Sequence, residues 1–349
     1  MNVLMVGVDE STKGGMWTVV ENYLKDSDFV RKNNITYVPT SITGSVVSRI
    51  LFTFKAYINI FNILRKRKTD ITHVHMSEKG SVYRKAIVLK MAKHFGSKTI
   101  IHMHGAEFED WYKTLDDKKQ SGVRKIINDA DKIIILGNYW CEFISSLIDN
   151  KEKIKVVYNA VNMPNENPYS EKSNKILFLG AVSQRKGIYD LLDSLKSISD
   201  EIKEEYEVCI YGPNVIGNVE EEISKRNLND LVKYCGWLDN NNKNDFLKQT
   251  CINILPSYNE GLPMTILETM AHGVPSITTN VAAIPEAVND DNGVLIAPGD
   301  INALSNAIVE LCTNDDLRMK KSDSAYNTIK NKFSLSKHLD EINNIYEEL

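Results

Sequence analysis

Short runs of branched apolar residues alternate with helical stretches along this chain, and that alternation leaves few folds open to it. In the first half the runs are NVLMVGV (2–8), ITYVP (35–39), ITHVH (71–75), KTIIHMH (98–104), KIIIL (132–136) and IKVVYN (154–159). Helical patterns fall between them, notably at 46–67, 81–95 and 117–129. Near-continuous Val/Ile strands separated by helices imply a parallel sheet covered on both faces. The pattern breaks at AVNMPNENPYSEKSN (160–174), with two prolines and four asparagines, which reads as a linker. It then restarts with strands at 175–182, 206–212, 232–238, 251–257, 275–279 and 293–298. Helices are expected from about 187 and at 263–272, 302–312, 315–332 and 336–348. Two doubly wound α/β domains follow, at 1–165 and 166–335, with a last helix at 336–349 that crosses back to the first. Ligands of open parallel sheets sit beyond the carboxyl ends of the strands, so two such domains facing each other make a central cleft.

A chain of 349 residues, 42% hydrophobic and 25% charged, is long enough for two globular domains. Its net charge of −4 is divided unevenly: residues 1–168 hold 25 lysines and arginines against 18 acids, and the remainder holds 17 against 28. Five scattered cysteines without a CxxC pair suggest reduced thiols and a cytoplasmic protein. MNVLMVGV lacks a basic leader and reads as a first strand rather than a signal peptide. No charge-free run of 18 apolar residues is present, so no membrane-spanning helix is expected.

The densest chemistry lies in SYNEGLPMTILETMAHGVP (257–275). Glu260 is placed at the carboxyl end of a buried strand, and Pro263 suits the first turn of the following helix. Unpaired backbone N–H groups near Gly261 to Met264, in the stretch Gly261-Leu262-Pro263-Met264, would then favour an anion or sugar hydroxyls. Glu268 lies roughly 8 Å further along the axis at about 1.5 Å per residue. Carboxylates so far apart grip different parts of one extended ligand and do not share a proton. Gly273 and Pro275 end the helix. For either glutamate alone, a solvated helix-end carboxylate is the plainer explanation.

An E-x7-E element between a strand ending in Pro-Ser and A-x-G-x-P, followed by V-x-x-I-P-E and N-G-x-L, resembles the family-4 retaining glycosyltransferases of the GT-B fold. The resemblance extends over almost the whole chain through Gly14-Gly15, His104-Gly105, Asn159, Gly180, Lys186-Gly187 and Gly212-Pro213. It implies transfer of a sugar from a nucleotide diphosphate donor, UDP- or GDP-linked, with retained anomeric configuration. The donor would sit mainly on the second domain, and a saccharide or lipid-linked acceptor on the first. It further implies that Glu260 contacts the donor sugar near the reacting face and that Glu268 binds the ribose hydroxyls. Gly14 and Gly15 would let backbone amides approach the donor phosphates, and His104 would lie near the reacting sugar.

The leaving diphosphate needs cations or fixed dipoles. Lys186 matches the family's lysine, but Ala181 stands where an arginine is common, and Arg185 is the candidate substitute. His102, His73 and His75 lack the cysteine or carboxylate spacing of a zinc site. Asp26–Asp28 and Asp129–Asp131 lie near helix ends and read as caps or surface charges. A metal-independent enzyme without a cofactor is expected, the nucleotide-sugar being its substrate. A sugar-nucleotide epimerase of the same fold would need further acid/base groups. An inactive scaffold finds support in Ala181 and Ala282-Ala283, where relatives often carry Arg and Gly-Gly.

The stretch 45–68 fits a helix with Val47, Ile50, Leu51, Phe54, Tyr57, Ile58, Phe61 and Leu64 on one face and Arg65 to Lys68 closing it. It is either a helix packed on the sheet or a helix lying on an anionic membrane surface. The second reading makes the enzyme peripheral on the inner face of the membrane. No nucleic-acid partner is expected.

Overall fold

The computed structural model describes every residue except Lys13, and every side chain except those of Lys13, Asn240 and Asn241. The turn expected at Lys13-Gly14-Gly15 therefore has its lysine outside the described residues. The chain divides into two compact units, Met1–Asn159 with Leu335–Leu349, and Ala160–Ser334.

The first unit contains strands β1 (Val3–Gly7), β2 (Thr36–Pro39), β3 (Ile71–Met76), β4 (Lys98–Met103), β5 (Lys132–Ile135) and β6 (Ile154–Val156). Its helices are α1 (Gly15–Lys25), α2 (Ser27–Asn33), α3 (Val46–Lys66), α4 (Gly80–His94), α5 (Phe108–Lys113), α6 (Asp117–Asn128) and α7 (Cys141–Leu147). The strand order is β2-β1-β3-β4-β5-β6, all parallel. Helices cover both faces, so β1 and β3 are buried along their whole lengths. The order reverses between β1 and β3, which places a crevice outside the carboxyl ends of those two strands.

The second unit contains β7 (Lys175–Leu179), β8 (Glu207–Tyr211), β9 (Val232–Gly236), β10 (Thr250–Leu255), β11 (Ser276–Thr279) and β12 (Gly293–Ile296). Between and after them come α8 (Ile188–Ile202), α9 (Val219–Lys225), α10 (Asn240–Leu247), α11 (Met264–Ala271), α12 (Ile301–Thr313) and α13 (Asp315–Thr328). The order is β12-β11-β10-β7-β8-β9, again parallel throughout. Here the reversal falls between β7 and β10, so the loops 180–187 and 256–263 face the same crevice. The final helix, α14 (Leu335–Glu347), belongs to the first unit, where His338 Nε2 meets Tyr23 Oη at 2.5 Å and Nδ1 meets the Tyr158 carbonyl at 2.7 Å.

Residues 160–174 are not a free tether. Tyr169 donates to the Cys251 carbonyl (3.1 Å) and receives the Arg318 Nε proton (2.9 Å), while Asn167 donates to Ser322 (3.1 Å). These bonds hold a polar, proline-broken segment flat against the second unit.

Helix α3 departs most from the sequence reading. Its contact with the rest of the unit runs through Ala56, Ile60 and Leu64, the only fully buried residues it has. Val46, Val47, Ile50, Leu51, Phe54, Ile58 and Phe61 are exposed. Leu64 thus belongs to the packed line rather than to the open face, and half-buried Tyr57 joins it by donating to the Arg84 carbonyl (3.2 Å). With 21 residues and a mean hydropathy of 1.2, α3 meets the length and apolarity of a membrane span. Its place as the crossover from β2 to β3 instead makes it a layer of this domain. The basic cluster after it is divided in role. Arg67 is a structural clamp, donating to Thr36 Oγ1 and the Asn34 carbonyl, both at 2.8 Å, whereas Arg65 and Lys66 are exposed.

Candidate active site

In the second unit the two switch-point loops are joined at three points. Lys186 Nζ and the Glu260 carboxylate form an ion pair, with side chains 13% and 7% exposed. Arg185 Nη1 donates to the Asn259 carbonyl at 2.6 Å, and the Tyr258 amide donates to the Arg185 carbonyl at 2.8 Å. Ser257 Oγ donates to the same Glu260 oxygen at 2.8 Å. Only a glycine permits the approach at 187: its φ is +75°, and a Cβ there would lie 2.0 Å from the Pro256 carbonyl oxygen. Ala282 also sits in the left-handed region, at φ 47°. A glycine takes that conformation without strain, which gives the Gly-Gly of the family pattern a backbone reason.

Pro263 is the residue before α11 rather than its first turn, with φ −70° and ψ 127°, and no side chain caps the helix. The first-turn amides of α11 therefore lie beyond intrahelical acceptors, as a helix N-terminus leaves them. The side chains of Leu262, Pro263 and Met264 are buried in the core, so these residues offer a ligand backbone groups alone. Gly261 faces open space, and a Cβ there would meet nothing within 4 Å. Glu268 lies in the second turn of α11 and pairs with Lys243 of α10 at 2.9 Å. The two glutamates are thus held by different lysines. Lys243 escaped the sequence reading, because NNNKND carries no apolar period, and Ser257 entered it only as the end of the Pro-Ser strand, without a role.

In the first unit Gly14 (φ +149°) precedes α1, and Gly15 is its first residue. Both are exposed, and a Cβ on Gly14 would meet no atom within 4 Å. His104 stands half-buried beyond the end of β4, its Nε2 2.9 Å from His75 Nδ1. A Cβ on Gly105 would meet the Glu78 carboxylate at 2.2 Å and the Glu78 amide nitrogen at 3.1 Å, so Glu78 packs closely on this glycine. Glu78 follows β3, and its Oε2 is buried without a hydrogen-bond partner. It is a carboxylate at this edge that the sequence did not single out.

His73, His75 and His102 are fully buried behind His104, with His75 and His102 in register on neighbouring strands. His73 stacks on His75 at 4.7 Å and 11°, and its Nδ1 meets Tyr346 Oη at 2.7 Å. Nitrogens of these three histidines lie within 4.8 Å of one another, near enough for a cation to be considered. His73 Nε2 meets His102 Nδ1 at 3.3 Å, so two of these nitrogens are already engaged with each other in a hydrogen bond. Of the Asp-x-Asp pairs, Asp26 caps α2 through the Phe29 amide (2.8 Å), and Asp131 accepts from the Thr99 amide (2.8 Å).

Residues 161–328 match the model of group 1 glycosyl transferases, and residues 18–163 match that of Glycosyltransferase Family 4. The chain belongs to the family-4 glycosyltransferases, and its fold is GT-B. It is 25% identical to an uncharacterized 41.2 kDa protein in the cps region of Klebsiella pneumoniae, over 99% of both chains. It is 26% identical to the UDP-Gal:alpha-D-GlcNAc-diphosphoundecaprenol alpha-1,3-galactosyltransferase of Escherichia coli, over 84% of this chain and 79% of that one. In fold it superposes on Anabaena HepE, solved with UDP-glucose, with a TM-score of 0.79, 14% identity and complete coverage of both chains. The protein is a glycosyltransferase with relatives in capsule and polysaccharide biosynthesis.

The histidine cluster carries a testable pH dependence. Burial, with the neighbouring histidines His104 and His338, pushes His73 down to about 3, and burial pushes His338 down to about 4. Unfolded histidine titrates near 6.5, so on acidification the unfolded chain takes up protons before the folded one. The stabilisation is complete above about pH 6.5 and is lost as pH falls toward the folded values, at up to about 1.4 kcal/mol per pH unit for each histidine. Denaturant midpoints should fall steadily from pH 6.5 to 4.5, less steeply in a His102→Leu variant. A flat midpoint over that range would contradict the buried neutral cluster.

Proposed function

We propose that this enzyme transfers a hexosyl unit from a nucleoside-diphosphate sugar to a saccharide or lipid-linked acceptor, with retention and without a metal. The observation that carries this is the second unit's switch point, where a lysine, a buried carboxylate and an uncapped helix N-terminus meet. Lys186 supplies positive charge for the leaving diphosphate, and the α11 amides supply fixed dipoles. Glu260, held by Lys186 and Ser257, faces the donor sugar. Glu268, oriented by Lys243, accepts hydrogen bonds from vicinal ribose hydroxyls. Retention proceeds by attack on the face that the leaving group vacates, with the leaving phosphate helping to deprotonate the acceptor hydroxyl. A UDP-linked donor is supported by the Escherichia coli relative, whose name specifies UDP-Gal, and by HepE, solved with UDP-glucose. That relative's diphosphoundecaprenol acceptor supports a lipid-linked acceptor here.

Kinetics on a panel of UDP- and GDP-sugars test this reading. Glu268→Ala should raise the donor KM by about 10- to 100-fold, the loss of a charged hydrogen-bond acceptor. Glu260→Ala should chiefly lower kcat, by about 100-fold, because its contacts count most as charge develops on the sugar. Activity should survive a chelator, and NMR should show the donor's anomeric configuration kept. Unchanged turnover in both variants, or an inverted product, would overturn the assignment.

The same proposal places the enzyme at the inner face of a membrane, with the open face of α3 on an anionic leaflet. No acidic residue occurs between Asp28 and Asp70, and seven large apolar side chains of α3 are exposed. Binding to phosphatidylglycerol vesicles should be salt-sensitive and should weaken in an Arg65→Ser/Lys66→Ser variant, which spares the Arg67 clamp. No binding at low salt would leave α3 as a layer of the domain only.

A further inference from the structure

A cavity of about 410 Å³ opens between α3 and α4, and neither the donor site nor the packing of the first unit accounts for its lining. Two guanidinium groups, Arg49 and Arg84, share it with the apolar side chains of Val46, Ile50, Phe54 and Tyr57. Arg84 is half-buried, and its Nε is shielded from solvent without a hydrogen-bond partner. Burial acts against its charge, Tyr57 favours it, and Arg49 opposes it. Neither arginine has an ion-pair partner among the described residues. A guanidinium stays charged at any physiological pH, so two of them lining one cavity call for an anion.

The apolar wall narrows what that anion is. Val46, Ile50 and Phe54 are 69%, 63% and 63% exposed, and they continue into the open face of α3. A free inorganic anion would use the arginines and leave this wall in water. An anion attached to a hydrocarbon chain uses both, removing apolar surface from water while the planar guanidiniums take phosphate oxygens in pairs. The position also fits an acceptor. α3 follows the carboxyl end of β2, and α4 follows that of β3, in a parallel sheet whose same edge carries the Gly14 turn and His104.

The geometry points to a binding subsite for the diphosphate and first hydrocarbon units of a lipid-linked acceptor. Arg49 and Arg84 hold the diphosphate, and Val46, Ile50 and Phe54 carry the chain toward the bilayer. The inference rests on the lipid-linked acceptor proposed above and names the group by which that acceptor is held. Arg49, exposed and outside the core, is free to do this without a role in folding.

Calorimetric titration of the full chain with farnesyl diphosphate, in the absence of any donor, tests it. Saturable binding is expected, with inorganic diphosphate and farnesol each at least tenfold weaker. Arg49→Gln should weaken it at least tenfold, Arg49→Gln/Arg84→Gln should abolish it, and Ile50→Asp should weaken it from the apolar side. The far-ultraviolet circular dichroism and thermal unfolding midpoints of the variants should match those of the unmodified protein, which shows that the first unit is folded, and UDP should bind to them as before. The inference is overturned if Arg49→Gln binds the probe as well as the unmodified chain. It is equally overturned if inorganic diphosphate binds as tightly as the probe, which would mark a free-anion site. Displacement of the probe by monomeric dihexanoyl-phosphatidylglycerol at equal concentration, which offers the headgroup without a bilayer, would also overturn it, assigning the arginines to ordinary lipid headgroups. Failure of UDP to bind the unmodified chain would instead remove the donor reading and leave the farnesyl diphosphate result standing.

Discussion

The ion pair between Lys186 and Glu260 is the contact on which the proposed donor site depends. Both side chains are nearly shielded from water, where an unpaired charge is costly, so each partner fixes the other. The pair exists because strand order reverses between β7 and β10. Reversal sends the two following segments to opposite faces of the sheet and leaves their loops side by side at its edge. Gly187 lets the loops approach, and the Arg185 bond to the Asn259 carbonyl holds them in register. Neither glutamate nor lysine needs to be found by a ligand in a mobile loop. The site is set before the substrate arrives, which is how fixed charge becomes useful in a transition state.

Much of this was legible in the residues, for a definite reason. Parallel strands buried on both faces appear as short apolar runs, and the twelve strands of the described residues all fall on stretches read as strands, including the less buried β2, β6 and β9. The short helices α2, α5, α7, α9 and α10 were not legible, being too brief for a 3.6-residue period to register. That cost the reading Lys243, which comes from α10 and holds Glu268. Pro263 was placed one position too far into its helix, because φ near −65° fits both the first helical position and the residue before it. Glu78 was invisible for another reason: what marks it is its packing on Gly105, a contact between segments 27 residues apart.

Helix α3 shows the limit of periodicity most clearly. Both of its faces are apolar, so the pattern alone does not say which one meets the sheet. The narrow line of Ala56, Ile60 and Leu64 wins because small and branched side chains let the helix lie close to its neighbours. The bulkier face is left outward, where it joins a segment devoid of acidic residues. Two H-x-H runs at the ends of adjacent strands likewise carried a signal in plain view. In-register pairing stacks alternate residues on one face, so His73, His75, His102 and His104 had to meet.

The central claim is that Lys186 provides the charge that the donor diphosphate needs, and that Glu260 holds it in place beforehand. Calorimetric affinity for UDP in three proteins tests this most directly: the unmodified chain, Lys186→Met and Glu260→Gln. Lys186→Met should weaken UDP binding by about tenfold or more, the size of one charge-assisted hydrogen bond. Glu260→Gln should bind UDP more tightly than the unmodified chain while losing turnover, because the amide oxygen still accepts the hydrogen bond that positions the lysine but no longer neutralises its charge. Equal affinity in all three, or weaker UDP binding by Glu260→Gln, would contradict the account.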